Sequence, residues 1–202
     1  MNLICEYSDI EYYLKETKEV DFNHPAIREL SEGLFVPAQT EVSKVKNAYE
    51  YVRDQVNHSW DIQAPEVTKT ASEVLLAQHG ICYSKTMLLA ALLRSQGIAS
   101  GFCYQRLQLF DTPEKGYCIH ALNAVYLETV DEWIRLDARG NKQGVEAEFS
   151  IYNEKLAFNV NEQLDEKDYP VVYCDPHPAT TGILQKANDA VKMYKHHLPN
   201  SI

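Results

Sequence analysis

The sequence has no long hydrophobic run, few basic residues, little glycine or proline and no paired-cysteine motif, and each shortage removes a class of protein. No stretch approaches the roughly 20 consecutive apolar residues that cross a bilayer as a helix, so no membrane partner is expected. Lys and Arg total 19 against 29 Asp and Glu, a formal net charge of -10. That balance leaves no broad basic face to track phosphates, so nucleic acid is not expected as a partner. Eight glycines and eight prolines in 202 residues exclude collagen-like and low-complexity chains. With no repeat or linker, residues 1–202 read as one domain around a single core.

The five cysteines, at 5, 82, 103, 118 and 174, are odd in number and widely spaced. Such usage fits a reducing compartment rather than a disulfide framework. The opening MNLICEYSDIEYYLKE meets Glu6 before any apolar core develops, unlike a secretory signal, and a cytoplasmic location is expected. A glycosylation acceptor at Asn57-His58-Ser59 would then have no effect. There is no Cys-x-x-Cys or His-x-x-x-His spacing, and His196-His197 reads as a solvated helix end, so neither metal nor cofactor is expected.

Residues 1–39 show no firm periodicity. From Glu41 to Val56, apolar residues recur at three- and four-residue steps behind Thr40, predicting a capped amphipathic helix. Thr70 can cap a short helix carrying Ala71, Val74 and Leu75, ending near Gly80. A third helix starts at Cys82; its run CYSKTMLLAALLRSQG is apolar around most of its circumference, as in a helix buried on several sides, and Gly97 closes it. Beyond it, ASGFCYQRLQLF, YCIHALNAVYLE and EWIRLDA are rich in aromatic and β-branched residues and predict antiparallel strands. A last helix is expected at 181–197. Helices followed by strands imply an α+β fold with the sheet packed on the helix that begins at Cys82.

The same pattern points to chemistry. A helix N-terminus favours a thiolate, and Cys82 sits at one, with its own N–H available to an oxyanion; equally, a buried cysteine at a helix start is a common packing residue. His120 shares a strand face with Cys118, Leu122, Ala124 and Tyr126. Pairing of the last two strands through a turn near 128–131 sets Asp137 opposite Leu122 and diagonal to His120, within side-chain reach. An aspartate there would fix the imidazole tautomer and free the other nitrogen to accept a thiol proton; alternatively, His120 is satisfied by a carbonyl and Asp137 only begins the turn before Gly140. Lys85 lies on the first turn after Cys82, where it either assists the thiolate or is solvated.

Gly80-Ile81-Cys82 opening an apolar helix, Arg94-Ser95-Gln96-Gly97-Ile98 ending it, His120-Ala121 and Trp133-Ile134-Arg135-Leu136-Asp137 together resemble the core of the transglutaminase-like superfamily, over roughly residues 40–140. That resemblance implies a papain-like α+β fold and a catalytic triad of Cys82, His120 and Asp137. Two positions depart from the common pattern: Leu122 stands where a tryptophan is frequent, and Ala138 where a proline is. Asp137-Ala138-Arg139-Gly140-Asn141 resembles an uncharacterised bacterial branch. For a second oxyanion donor, the resemblance to eukaryotic transglutaminases suggests Trp60, and analogy with the glutamine upstream of the papain nucleophile suggests Gln78.

The expected function is acyl transfer at an amide through a Cys82 thioester, on a peptide, protein or small amide substrate. Water as acceptor gives a peptidase or amidase and an amine gives a transglutaminase; hydrolysis is favoured because the chain is small and has no companion domain to present an acceptor. The alternative is a catalytically silent peptide- or protein-binding module. Oligomeric state and calcium dependence leave no mark in the sequence.

Overall fold

The structure, a computed structural model, describes residues 1–202 apart from the side chains of Asp111 and Pro113. After a short strand β1 (Ile4–Cys5) and a 3-10 turn come helices α1 (Pro25–Leu34) and α2 (Glu41–Gln55), then β2 (Asn57–His58), α3 (Ala71–Ala77) and β3 (His79–Gly80). Helix α4 (Cys82–Arg94) leads into β4 (Ser100–Gln108), β5 (Tyr117–Leu127) and β6 (Glu132–Leu136). A long, mostly irregular segment then carries β7 (Lys167–Asp168) and β8 (Val171–Val172), before α5 (Pro178–Lys186) and α6 (Ala190–His196).

The main sheet is antiparallel, in the order β6-β5-β4-β7; β2-β3 is a separate parallel pair, and the parallel pair β1-β8 is joined to β4 by a bridge between Tyr173 and Phe102. Every residue of α4 is buried. Its apolar circumference is explained by neighbours on several sides: α2 and α3 pack on it from one direction and β5 from another. Polar groups fix its angle to the sheet. Tyr83 donates to the Ile119 carbonyl at 2.7 Å, and the Asn123 side-chain amide donates to the Thr86 carbonyl at 3.1 Å. At the far end, the buried Arg94 guanidinium donates to the carbonyls of Ser100, Lys15 and Cys174, tying helix, sheet and both flanking segments together.

Helix α2 begins where expected, with Thr40 Oγ1 accepting from the Ser43 N–H, and Gly97 leaves α4 at φ +71. Two local expectations are adjusted. Helix α3 ends near Gly80 as expected, but the residue that takes the left-handed conformation at its end is Gln78 (φ 57), not the glycine. Gly80 matters for another reason: a Cβ there would lie 2.6 Å from Ser84 Oγ on the first turn of α4. The single helix expected at 181–197 is two, because Ala187 is extended and Asp189 starts a new helix by accepting from the Lys192 N–H. Among the described residues, no helix is long and apolar enough to cross a membrane.

Candidate active site

Cys82 is the first residue of α4. The preceding Ile81 makes no side-chain cap, so no cap side chain covers Cys82 at the positive end of the helix dipole. Cys82, Cys118 and His120 are among the residues that line a cavity of about 490 Å³.

The β5–β6 register brings the histidine to the aspartate. Asn123 faces Leu136, as the hydrophobic pattern and turn position require, so Asp137 follows one step beyond the last pair and its side chain returns to His120. His120 Nε2 and Asp137 Oδ2 are 2.7 Å apart, with both side chains almost wholly buried. Asp137 also accepts from the Arg139 N–H on Oδ1 and from the Ala157 N–H on Oδ2, each at 3.1 Å. The Cys82 thiol lies near enough to the same imidazole to raise its affinity for the proton.

The electrostatics follow from this packing. Burial alone would push the His120 pKa down, but the Asp137 charge and hydrogen bond, aided by Cys82, lift it well above the ordinary histidine value. Burial likewise opposes ionisation of Asp137, yet the His120 charge and the three donors hold its carboxyl below the usual range. The proton therefore resides on the imidazole, and the pair is ionic.

Around this centre the walls come from distant parts of the chain. Trp60 lines the cavity and stacks on Tyr194 of α6, ring centroids 4.8 Å apart, with Phe110 tilted against both. Phe158 meets the His120 ring edge-on at 5.0 Å. Arg139, buried on the cavity wall, is held bidentately by Asp61 at 2.5 and 2.9 Å, and Lys142 reaches the same carboxylate at 2.7 Å. Those two cations hold Asp61 ionised far below the ordinary carboxylate range against the opposing effect of burial.

Of the residues singled out by sequence, Cys82, His120 and Asp137 meet in one place, Trp60 lines the cavity beside them, and Cys118 joins the lining. Gln78 does not: its amide donates to the Leu75 carbonyl at 2.6 Å, finishing its own helix, and it is not part of the lining. Lys85 is not solvated but 1% exposed, its ammonium donating to the carbonyls of Val56 and Arg139. The contributions of Asp61, Ala157, Phe158 and Tyr194 carried no sequence signal, since each comes from a loop or terminal helix whose position depends on the finished fold. Among the described residues, no group of three or more His, Cys, Asp or Glu is placed to hold a metal ion.

Comparison with known proteins agrees with this architecture. A solved structure named "Putative Cysteine Protease from Cytophaga hutchinsonii" superposes with a TM-score of 0.52 at 17% sequence identity, covering 66% of this chain and 43% of that one. The present chain thus corresponds to less than half the length of that protein, and the likeness is one of fold. No curated protein sequence matches the chain. The profile of the transglutaminase-like superfamily matches residues 28–138. This stretch is more than half of the chain and runs from α1 to just past Asp137, so the protein belongs to the transglutaminase-like superfamily, on a papain-like α+β fold.

Proposed function

We propose that this protein carries out cysteine-dependent acyl transfer at an amide or peptide carbonyl, with Cys82 as nucleophile, His120 as base and then acid, and Asp137 orienting the imidazole. The observation that carries this reading is the buried His120–Asp137 ion pair, 2.7 Å long, with the thiol at the start of α4 against the same ring and a cavity open above them. A histidine and aspartate buried only for stability would need neither the cysteine nor the cavity.

The Cys82 proton has already passed to His120; in the first step Cys82 Sγ, as thiolate, bonds to the carbonyl carbon and the carbonyl electrons move to oxygen. The uncapped N–H of Cys82 is one donor for that oxyanion, and Trp60 on the cavity wall is the candidate for the second. Collapse breaks the C–N bond; the amine leaves with the proton returned by His120, and a thioester remains. Water, giving a proton to His120, then attacks the thioester, and the sulfur leaves as thiolate beside the imidazolium as the acid is released. An amine in place of water would yield a new amide, but hydrolysis is the reading preferred here. The substrate class is a peptide, protein or small amide.

Alkylation of Cys82 by iodoacetamide, followed by mass spectrometry, tests the proposal. The expected result is preferential labelling of Cys82, slowed at least about tenfold in His120→Ala and abolished in Cys82→Ala. A Cys82 that labels slowly and is indifferent to His120 would overturn it and leave a peptide-binding module. Peptide amides and a labelled primary amine, offered together, then distinguish release of free acid from amine incorporation.

A further inference from the structure

Lys85 is a lysine with almost no exposure, one turn from the nucleophile, and the acyl-transfer chemistry does not use it. Its ammonium donates to the Val56 carbonyl at 2.5 Å and to the Arg139 carbonyl at 2.9 Å. Each partner belongs to a different arm of the site. Val56 ends α2 and leads through β2 to Trp60. Arg139 lies two residues past Asp137, and its two backbone polar groups point opposite ways along one chain of bonds: the N–H into Asp137 Oδ1 at 3.1 Å, the carbonyl onto Lys85.

The bonds therefore form a continuous chain. It runs from His120 to Asp137, from Asp137 through the Arg139 peptide to Lys85, and Lys85 stands one turn along α4 from Cys82, which lines the same cavity as His120. A chain anchored on the helical turn that carries the thiol holds the carboxylate relative to it. Removing the lysine would free the Arg139 peptide and leave two buried carbonyls without a donor. The neighbouring Gly140 fits this close approach: a Cβ there would come within 3.4 Å of the ammonium nitrogen and 3.3 Å of the Arg53 carbonyl.

We propose that Lys85 is a positioning residue, which clamps the loop after Asp137 to the first turn of α4 and so holds the His120–Asp137 pair in register with Cys82. Its hydrogen bonds, not its charge, do the clamping. Burial foremost, and then the Arg139 charge, lower the Lys85 pKa to about 7, while Asp137, Asp61 and Asp54 oppose the shift; ammonium and neutral amine alike carry the two hydrogens that two carbonyls require.

The role rests on the acyl-transfer reading for its meaning but not for its test, because the His120 imidazole proton can be observed by NMR without any turnover. Lys85→Met replaces the clamp with an apolar stem of similar length. Lys85→Gln keeps donors on a stem one atom shorter, which reaches at most one carbonyl. With far-UV circular dichroism unchanged and well below the melting point, Lys85→Met should shift or broaden the downfield imidazole N–H signal and slow Cys82 alkylation on the order of tenfold, with Lys85→Gln in between. A lower melting temperature with the parental imidazole signal and alkylation rate would reduce Lys85 to a core residue and overturn the proposal. Should Lys85→Met fail to fold, Lys85→Gln decides alone: folded with both readouts displaced supports the clamp, and folded with parental values refutes it. An unreactive Cys82 in the parent would sink the enzyme reading, while the imidazole signal would still report on Lys85.

Discussion

Replacing Asp137 by asparagine tests the centre of the site, because the shape is retained while the acceptor pattern fails. The carboxylate meets three donors: His120 Nε2 at 2.7 Å, and the Arg139 and Ala157 N–H groups at 3.1 Å. Asparagine has one oxygen. Placed at Oδ2 it keeps His120 and Ala157, but its NH2 then faces the Arg139 N–H; placed at Oδ1 it keeps Arg139 and confronts Ala157. Either way one buried backbone donor loses its partner, which costs about 1–3 kcal/mol. Breaking a buried ion pair outright would cost about 3–5 kcal/mol, an upper bound here because the imidazole can become neutral. A loss of about 2–4 kcal/mol is expected between those limits, read as a fall in the urea midpoint at unchanged slope.

The pH dependence of that loss has a definite sign. His120 has its affinity for the proton raised in the folded state, so its contribution is fully present below the unfolded value near 6.5 and fades as pH rises through the folded value. Asp137, held low, contributes above the unfolded carboxylate value near 3.9 and loses that contribution as pH falls through its folded value. The stability gap between parent and Asp137→Asn should be widest from about pH 4 to 6.5 and narrow on either side. By NMR, His120 should titrate above 6.5 in the parent and below it in the variant, where burial is no longer opposed by the carboxylate. Cys82 alkylation should slow on the order of a hundredfold or more. A gap under about 1 kcal/mol, with His120 still titrating high, would show that the carboxylate does not govern the imidazole.

Three further substitutions probe the surroundings. Gly80→Ala places a methyl group 2.6 Å from Ser84 Oγ and 3.1 Å from Thr68 Oγ1; a destabilisation of about 1–3 kcal/mol is expected by chemical denaturation, and unchanged stability would mean that the first turn of α4 yields readily. Gln78→Gly should change stability by less than about 1 kcal/mol, since relief at a left-handed residue offsets the added freedom of the unfolded chain, and Cys82 alkylation should keep its parental rate; a marked slowing would restore Gln78 to the site. Asp61→Asn removes the carboxylate that holds the buried Arg139 guanidinium, and thermal melting should show a loss of about 1–3 kcal/mol; an unaltered melt would mean that Arg139 finds compensation in solvent.

The sequence determined α2, α4 and the strands β4 to β6, because their apolar periods are long and their ends carry caps, turns or glycine: Thr40 before α2, Gly97 after α4. It also determined the meeting of His120 and Asp137, since two strands joined by a short turn have one register that keeps both hydrophobic faces inward, and diagonal neighbours follow from the register alone. Gln78 was beyond it: position in sequence suggested a role near Cys82, whereas the left-handed turn of the chain at that residue directs its amide back to its own helix. Only the tertiary structure decided what surrounds the thiol. Lys85 reads as a surface lysine until α2 and the loop after Asp137 deliver two carbonyls to it, Tyr194, Ala157 and Phe158 reach the cavity from segments far along the chain, and Asp61 holds Arg139 on its wall. Local propensity acts over a few residues, whereas a cavity wall is set by which distant surfaces the core brings together; no period in the chain encodes that.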